Sequence, residues 1–284
     1  MGNCMRLFMM FAFLVCLPLS AYAGQPSQTG QTGPQYRLVA GTELIADIVR
    51  DILPAQTEIL VLVPAASCPG HHDMRAADMA FFSKADRVLL HGWQKNAPGI
   101  AEATQAANLP NDATNIVQTR GSFLVPENQI AASREIAAHL ASLAGVDARI
   151  LEKRLADRIT RITALEGNLL ALLAPYRDTP ALSAEMQAEF VRWAGLKVVG
   201  EYGRAEDMSP GALMSLADAG KNAGVKVVVD NLQSGAEAGL PLARDLGAAH
   251  VGFSNFPGYT PETGEYESLL TLNVKLLLGA LGAR

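Results

Sequence analysis

From residue 36 onward the chain alternates apolar runs with amphipathic stretches. A short strand is predicted over 36–40, and Thr42 can cap an amphipathic helix that runs to Ile52. Residues 58–63 (EILVLV) are apolar almost without interruption, as expected of a strand covered on both faces. A loop over 64–74 and a short helix to Lys84 follow, then a second buried strand over 87–90 that ends at His91-Gly92-Trp93. This strand–helix rhythm predicts a parallel sheet with helices on both sides.

The middle of the chain is helical. One helix is expected over 127–143, and Gly145-Val146-Asp147 interrupts the pattern. From 147 to 174, Ile150, Leu151, Leu155, Ile159, Ile162, Leu165, Leu169 and Leu172 recur at steps of mostly three or four, giving one apolar face. About 28 helical residues span roughly 42 Å, enough to cross a domain. The alternation then resumes: a helix over 183–194, a strand over 196–199, a helix opening at Ser209-Pro210, a buried strand over 225–229, a helix to Leu246, a strand over 250–253 and a closing helix over 265–281. The predicted fold class is α/β, with two lobes at 36–146 and 177–284, each a parallel sheet flanked by helices, joined by one long rigid helix at 147–176.

The N-terminus reads as an export signal. Arg6 precedes an apolar run over 7–19, and Ala21-Tyr22-Ala23 forms a small-x-small cleavage site before Gly24. The run is short for a membrane span. Cys16 sits inside it after bulky Val15, which disfavours a lipid anchor. A signal peptide over 1–23 and a Gly/Gln/Ser/Thr-rich linker over 24–35 are therefore expected, with a periplasmic destination. Cleavage removes Cys4 and Cys16 and leaves Cys68 as the sole cysteine, so no internal disulfide is available.

Composition narrows the partners. Of 284 residues, 49% are hydrophobic and 18% charged, which suits a packed core. The formal net charge is −5 and no basic stripe is present, so nucleic acid is not an expected partner. A monomer is expected.

Open parallel sheets bind ligands beyond the carboxyl ends of their strands. There the first lobe offers Cys68, His71, His72 and Asp73, then His91. The second offers Glu201, Asp230 with Asn231, and Ser254 with Asn255. Thiolate and imidazole suit zinc or another late first-row metal. Neighbouring side chains on an extended loop diverge, so one of His71 and His72 is expected not to touch the ion. His91 can be a ligand or a hydrogen-bonding wall residue, and Asp230 a ligand or the cap of the next turn. His250, at the start of its strand, is left out of the site.

Several segments together resemble the periplasmic binding proteins of zinc/manganese ABC importers. PGHHDMRAADMAFFSKADRVLLHGW is similar to that family's first-histidine loop and following strand, and AEFVRWAGLKVVGEYG to its second-lobe entry. The helix over 147–174 resembles its interlobe rod, and YESLLTLNVKLLLGAL its last helix. The resemblance covers residues 36–284. It implies a metal held by four side chains, usually three His, or two His and a Glu, with an Asp or Glu. His71 matches the first histidine best. The second belongs within 121–126, where no histidine is present; the third falls at Ala184, with Glu185 one step away; and the carboxylate falls near Asn255, an amide instead of an acid.

The resemblance thus implies a solute-binding protein, not an enzyme, that captures a divalent metal, zinc first, and delivers it to a membrane ABC permease. The candidate ligands are His71, His72, Cys68, His91, Asp230 and Asn255, with Glu127 as a further possible donor in a rebuilt site. The depleted set leaves two alternatives: a metal chelate or other small solute as cargo, and a Cys–His hydrolase with Cys68 as nucleophile.

Overall fold

The computed structural model describes residues 36–67, 74–97, 99–110 and 112–282. The expected signal peptide and linker, and Cys68, His71 and His72, lie outside the described residues.

Among the described residues, eight parallel strands form two four-stranded sheets of the same topology. The first sheet contains β1 (Tyr36–Thr42), β2 (Thr57–Val63), β3 (Arg87–His91) and β4 (Thr114–Val117), in the order β2-β1-β3-β4. The second contains β5 (Pro180–Ala184), β6 (Lys197–Tyr202), β7 (Val227–Asn231) and β8 (Ala249–Phe253), in the order β6-β5-β7-β8. Helices alternate with them: α1 (Glu43–Ile52), α2 (Ala76–Phe82), α3 (Ile100–Ala106) and α4 (Pro126–Leu140) in the first lobe, α6 (Glu185–Trp193), α7 (Pro210–Ala223), α8 (Leu240–Leu246) and α9 (Tyr266–Ala280) in the second. Between the lobes runs α5 (Ala148–Leu173), continued by a 3₁₀ turn over Ala174–Tyr176. The α/β two-lobe architecture read from the sequence is the one observed.

The period-two alternation of each strand sorts side chains between two cores. Leu38, Ala40 and Leu89 of the first sheet, with Val227, Val229 and Phe253 of the second, face one shared core that also takes side chains from α1, α4, α5, α6 and α9. The opposite face of the first sheet (Val39, Val88, Leu90) packs under α2 and α3. Its counterpart in the second (Leu182, Val228) packs under α7 and α8. One continuous apolar layer therefore ties both lobes to α5.

Three differences from the predicted elements have physical causes. The apolar run of β2 is an edge strand, only half-buried over most of its length, with Glu58 paired to Arg37 at 3.1 Å. The segment 180–184, partly assigned to a helix, is the inner strand β5; Pro-Ala-Leu-Ser-Ala has no β-branched residue, and tertiary burial sets its conformation. The buried face of α5 runs through Leu151, Arg158, Ile162, Leu169 and Leu173, while Ile150 and Leu172 are more than half exposed.

Arg158 belongs to that buried face. Its guanidinium, 1% exposed, donates to Asp47 at 2.8 Å and Asp51 at 2.9 Å on α1, and to Ser133 on α4 at 3.1 Å. The other oxygen of Asp47 accepts from the backbone N–H of Tyr266 at 3.2 Å, and the Tyr266 hydroxyl donates to Leu124 O at 2.9 Å. Burial pushes the Asp47 carboxyl above its ordinary range, against the pull of Arg158. This buried network joins α1, α4, α5 and α9 behind the cleft.

Candidate functional site

The carboxyl ends of all eight strands meet a single cavity of about 1170 Å³. Thr42, Val63, His91 and Val117, the last residues of β1 to β4, line it from the first lobe. Ala184, Tyr202 and Asn231, which end β5 to β7, line it from the second, joined by Asn255 just past β8. The segment that holds Cys68, His71 and His72 is not described, but Leu62 and Val63 before it and Met74 after it all line this cavity.

His91 is a wall residue with its ring committed. Its Nε2 lies 2.8 Å from Thr42 Oγ1, and its backbone N–H donates to Gln94 Oε1 at 3.0 Å. The imidazole stacks on Trp93, centroids 5.8 Å apart at 15°, and tilts against Phe123 at 4.6 Å. Burial lowers its pKa to about 4, so the ring is neutral near pH 7. Thr42 occupies the N-cap position of α1 as expected, but its hydroxyl makes no capping bond, because His91 takes it.

Asp230 ends up under the wall instead of on it. It is fully buried and does not line the cavity. Its Oδ1 accepts from the Tyr202 hydroxyl at 2.8 Å, both oxygens accept from the Gly239 N–H at 2.9 and 3.0 Å, and Oδ2 lies 2.5 Å from His250 Nε2. Burial, with the Asp230 carboxylate beside it, raises the pKa of the Tyr202 phenol, which stays protonated as a donor. Glycine at 239 is required here, since a Cβ would sit 2.2 Å from the Tyr202 oxygen. The strand-end position expected for Asp230 is thus correct for its backbone, while its side chain anchors Tyr202 and the start of α8. His250, left aside on sequence grounds, is its partner.

Asn255 does line the cavity, and its orientation is fixed. Its Oδ1 accepts from Gln187 Nε2 at 2.7 Å, and its backbone N–H donates to Gln233 Oε1 at 2.9 Å. Gln233, 7% exposed, also donates to Ser254 Oγ at 2.8 Å and across the lobes to Ala65 O at 3.0 Å.

A second bridge crosses the cleft. Glu189 on α6 accepts from the Ser122 N–H at 2.6 Å and from Asn128 Nδ2 at 2.7 Å. Gly121 allows this approach. It has φ +84°, and a Cβ there would lie 2.5 Å from Glu189 Oε1. Sequence reasoning missed Gln233, Gln187 and Glu189. The one available signal was the placement of Gln233 two residues past a strand end. Among the described residues no three His, Cys, Asp or Glu side chains come together as a metal site.

Residues 38–280 match the family described as zinc-uptake complex component A, periplasmic (ZnuA). The chain belongs to this family. Its fold is similar to a crystal structure of ZnuA at TM-score 0.71 and 18% identity, covering 86% of this chain and 98% of that one. A zinc-bound ZnuA deletion mutant gives 0.72 at 18%, with 86% and 97% covered. The manganese-bound periplasmic metal binding protein of Candidatus Liberibacter asiaticus gives 0.72 at 14%, with 87% and 100% covered. No curated protein matches the sequence. ZnuA-family proteins are periplasmic binding proteins of transport and not enzymes, so the hydrolase reading of Cys68 is set aside. Among the described residues no helix is long and apolar enough to cross a membrane.

The positions that the ZnuA resemblance marks for metal ligands border the cavity even where the donors are missing. Of the positions expected from the resemblance, Gly121 to Leu124 of the segment 121–126, Ala184, Glu185 and Asn255 line the cavity.

Proposed function

We propose that this protein captures a divalent transition metal, zinc as the first candidate, in the cleft between its lobes and hands it to a membrane ABC permease. The observation that carries this reading is the convergence of eight strand ends on one cavity bordered by both flanks of the Cys68–His72 segment. Family membership and solved relatives bound to zinc and manganese support it.

In this reading one of His71 and His72, with Cys68, supplies the first-lobe donors. Glu185, exposed at the cavity, and the amide oxygen of Asn255 are the second-lobe candidates. His91 and Asp230 act as supports, because His91 Nε2 is engaged with Thr42 Oγ1 and Asp230 does not line the cavity, while the Asn255 oxygen keeps a second lone pair beside its bond from Gln187. Export by a signal peptide over 1–23, lobes at 36–146 and 177–284, and monomeric action complete the proposal.

The test is elemental analysis of mature protein purified without chelators, paired with titration of the metal-free form with zinc and manganese. A one-to-one stoichiometry that His71→Ala/His72→Ala weakens at least tenfold supports the reading. Unchanged affinity in the double variant overturns the site.

A further inference from the structure

The second-lobe wall of the cleft is held from behind. Asn231, Ser234, Gly235 and Ala238 line the cavity from the turn that follows β7. Asn231 fastens the start of this turn: its Oδ1 accepts from the Gln233 N–H at 3.2 Å and its Nδ2 donates to Ser234 Oγ at 2.8 Å. Asp230 fastens the end through the Gly239 N–H, and the same carboxylate holds the hydroxyl of Tyr202, a further lining residue. Two parts of the wall thus hang on one fully buried acid.

His250 is the third group on that acid. Its Nε2 lies 2.5 Å from Asp230 Oδ2, and a carboxylate oxygen can only accept, so this ring nitrogen carries the hydrogen. Among the described residues it is the one basic side chain paired with Asp230. The sheet sets its place. Asp230 stands opposite Gly252, so His250, two residues earlier on β8, shares the face that packs under α7 and α8. The ring does not line the cavity, and its side chain is 21% exposed. A buried acceptor that loses a donor is left desolvated and unpaired, which costs more than the bond itself contributed.

We propose that His250 is a positioning residue of the cleft: by donating to Asp230 it holds Tyr202 and the turn 231–239 in the arrangement that receives the cargo, and so sets the affinity of the site without touching the cargo. This deepens the metal-binding reading and rests on it. Without the His250 N–H, the Asp230 carboxylate turns toward water and loosens its hold on Gly239 and Tyr202. Two substitutions separate donation from packing. Glutamine carries an amide N–H at nearly the reach of imidazole Nε2, whereas leucine fills the space and donates nothing.

The test compares the mature chain with its His250→Gln and His250→Leu variants. Backbone amide exchange is followed by NMR, and metal-free protein is titrated with zinc chloride by calorimetry. In His250→Leu the Gly239 amide should exchange about tenfold faster while the amides of β1 keep their rates, and zinc should bind about tenfold more weakly. His250→Gln should bring both readouts back to the wild-type values. Equal acceleration at Gly239 and throughout β1 would mean a general loss of stability and overturns the proposal. So does a glutamine variant no better than the leucine one, or faster exchange at Gly239 with unchanged zinc affinity. If the wild-type chain binds no zinc, the metal-binding reading falls by itself, and the exchange rates still decide whether His250 holds the wall.

Discussion

Gln233 on the second lobe donates its Nε2 to the carbonyl oxygen of Ala65 on the first, at 3.0 Å. The same amide holds Ser254 and the backbone of Asn255. One buried side chain thus links Ala65, three residues before Cys68, to the far wall of the cleft. Gln233→Leu keeps the volume and removes the bonds, leaving Ala65 O and the Asn255 N–H without it. The expected cost is about 1–3 kcal/mol in stability, read by denaturant unfolding, together with weaker zinc binding. Unchanged zinc affinity would show that the link is structural only.

Glu189 and Gly121 form the second crossing point. Gly121→Ala puts a methyl group where Glu189 Oε1 lies, at a residue with φ +84°. It should destabilise by about 1–3 kcal/mol. Glu189→Ala, which frees that space, should make the Gly121→Ala change less costly. Additive losses in the double variant would remove the latch.

How much of this was legible beforehand depends on which residues carried the information. The strands 225–229 and 58–63 announce themselves by continuous apolar character, and Ser209-Pro210 by its capping chemistry, which the Ser209 Oγ bond from the Ala212 N–H bears out at 3.2 Å. Arg158 was invisible because its burial depends on Asp47 and Asp51, over a hundred residues away in the chain. Gln233 and Glu189 are ordinary polar residues until the fold places another lobe opposite them. Asp230 and His250 stand on adjacent strands, a pairing that the sheet register creates and that linear spacing cannot show.

Arg158→Met tests the network behind the cleft. Removing the guanidinium strands Asp47 in a buried site, and the loss should be about 3–5 kcal/mol, seen as a large fall in Tm. Adding Asp47→Leu should recover part of it, because the remaining buried charge is then gone. A loss below 1 kcal/mol for the single variant would contradict the coupling.

His91 gives the fold a pH dependence of defined sign. Its folded pKa of about 4 lies below the unfolded value near 6.5. The unfolded chain therefore binds the proton first as pH falls. This contribution is fully present above pH 6.5 and is lost as pH drops towards 4, by about 3 kcal/mol in total. Unfolding free energies measured at steps from pH 7.5 to 4 should show that slope, and His91→Gln should flatten it. An identical slope in the variant would place the titration elsewhere.

The central claim is that cargo sits between the lobes, against the Cys68–His72 segment. Anomalous diffraction at the zinc edge, from crystals loaded with zinc, tests it directly. The expected result is one strong peak inside the cavity, about 2.0–2.3 Å from a donor of that segment and facing Glu185 or Asn255. A peak on the outer surface, with the segment turned away from the crevice, would contradict it.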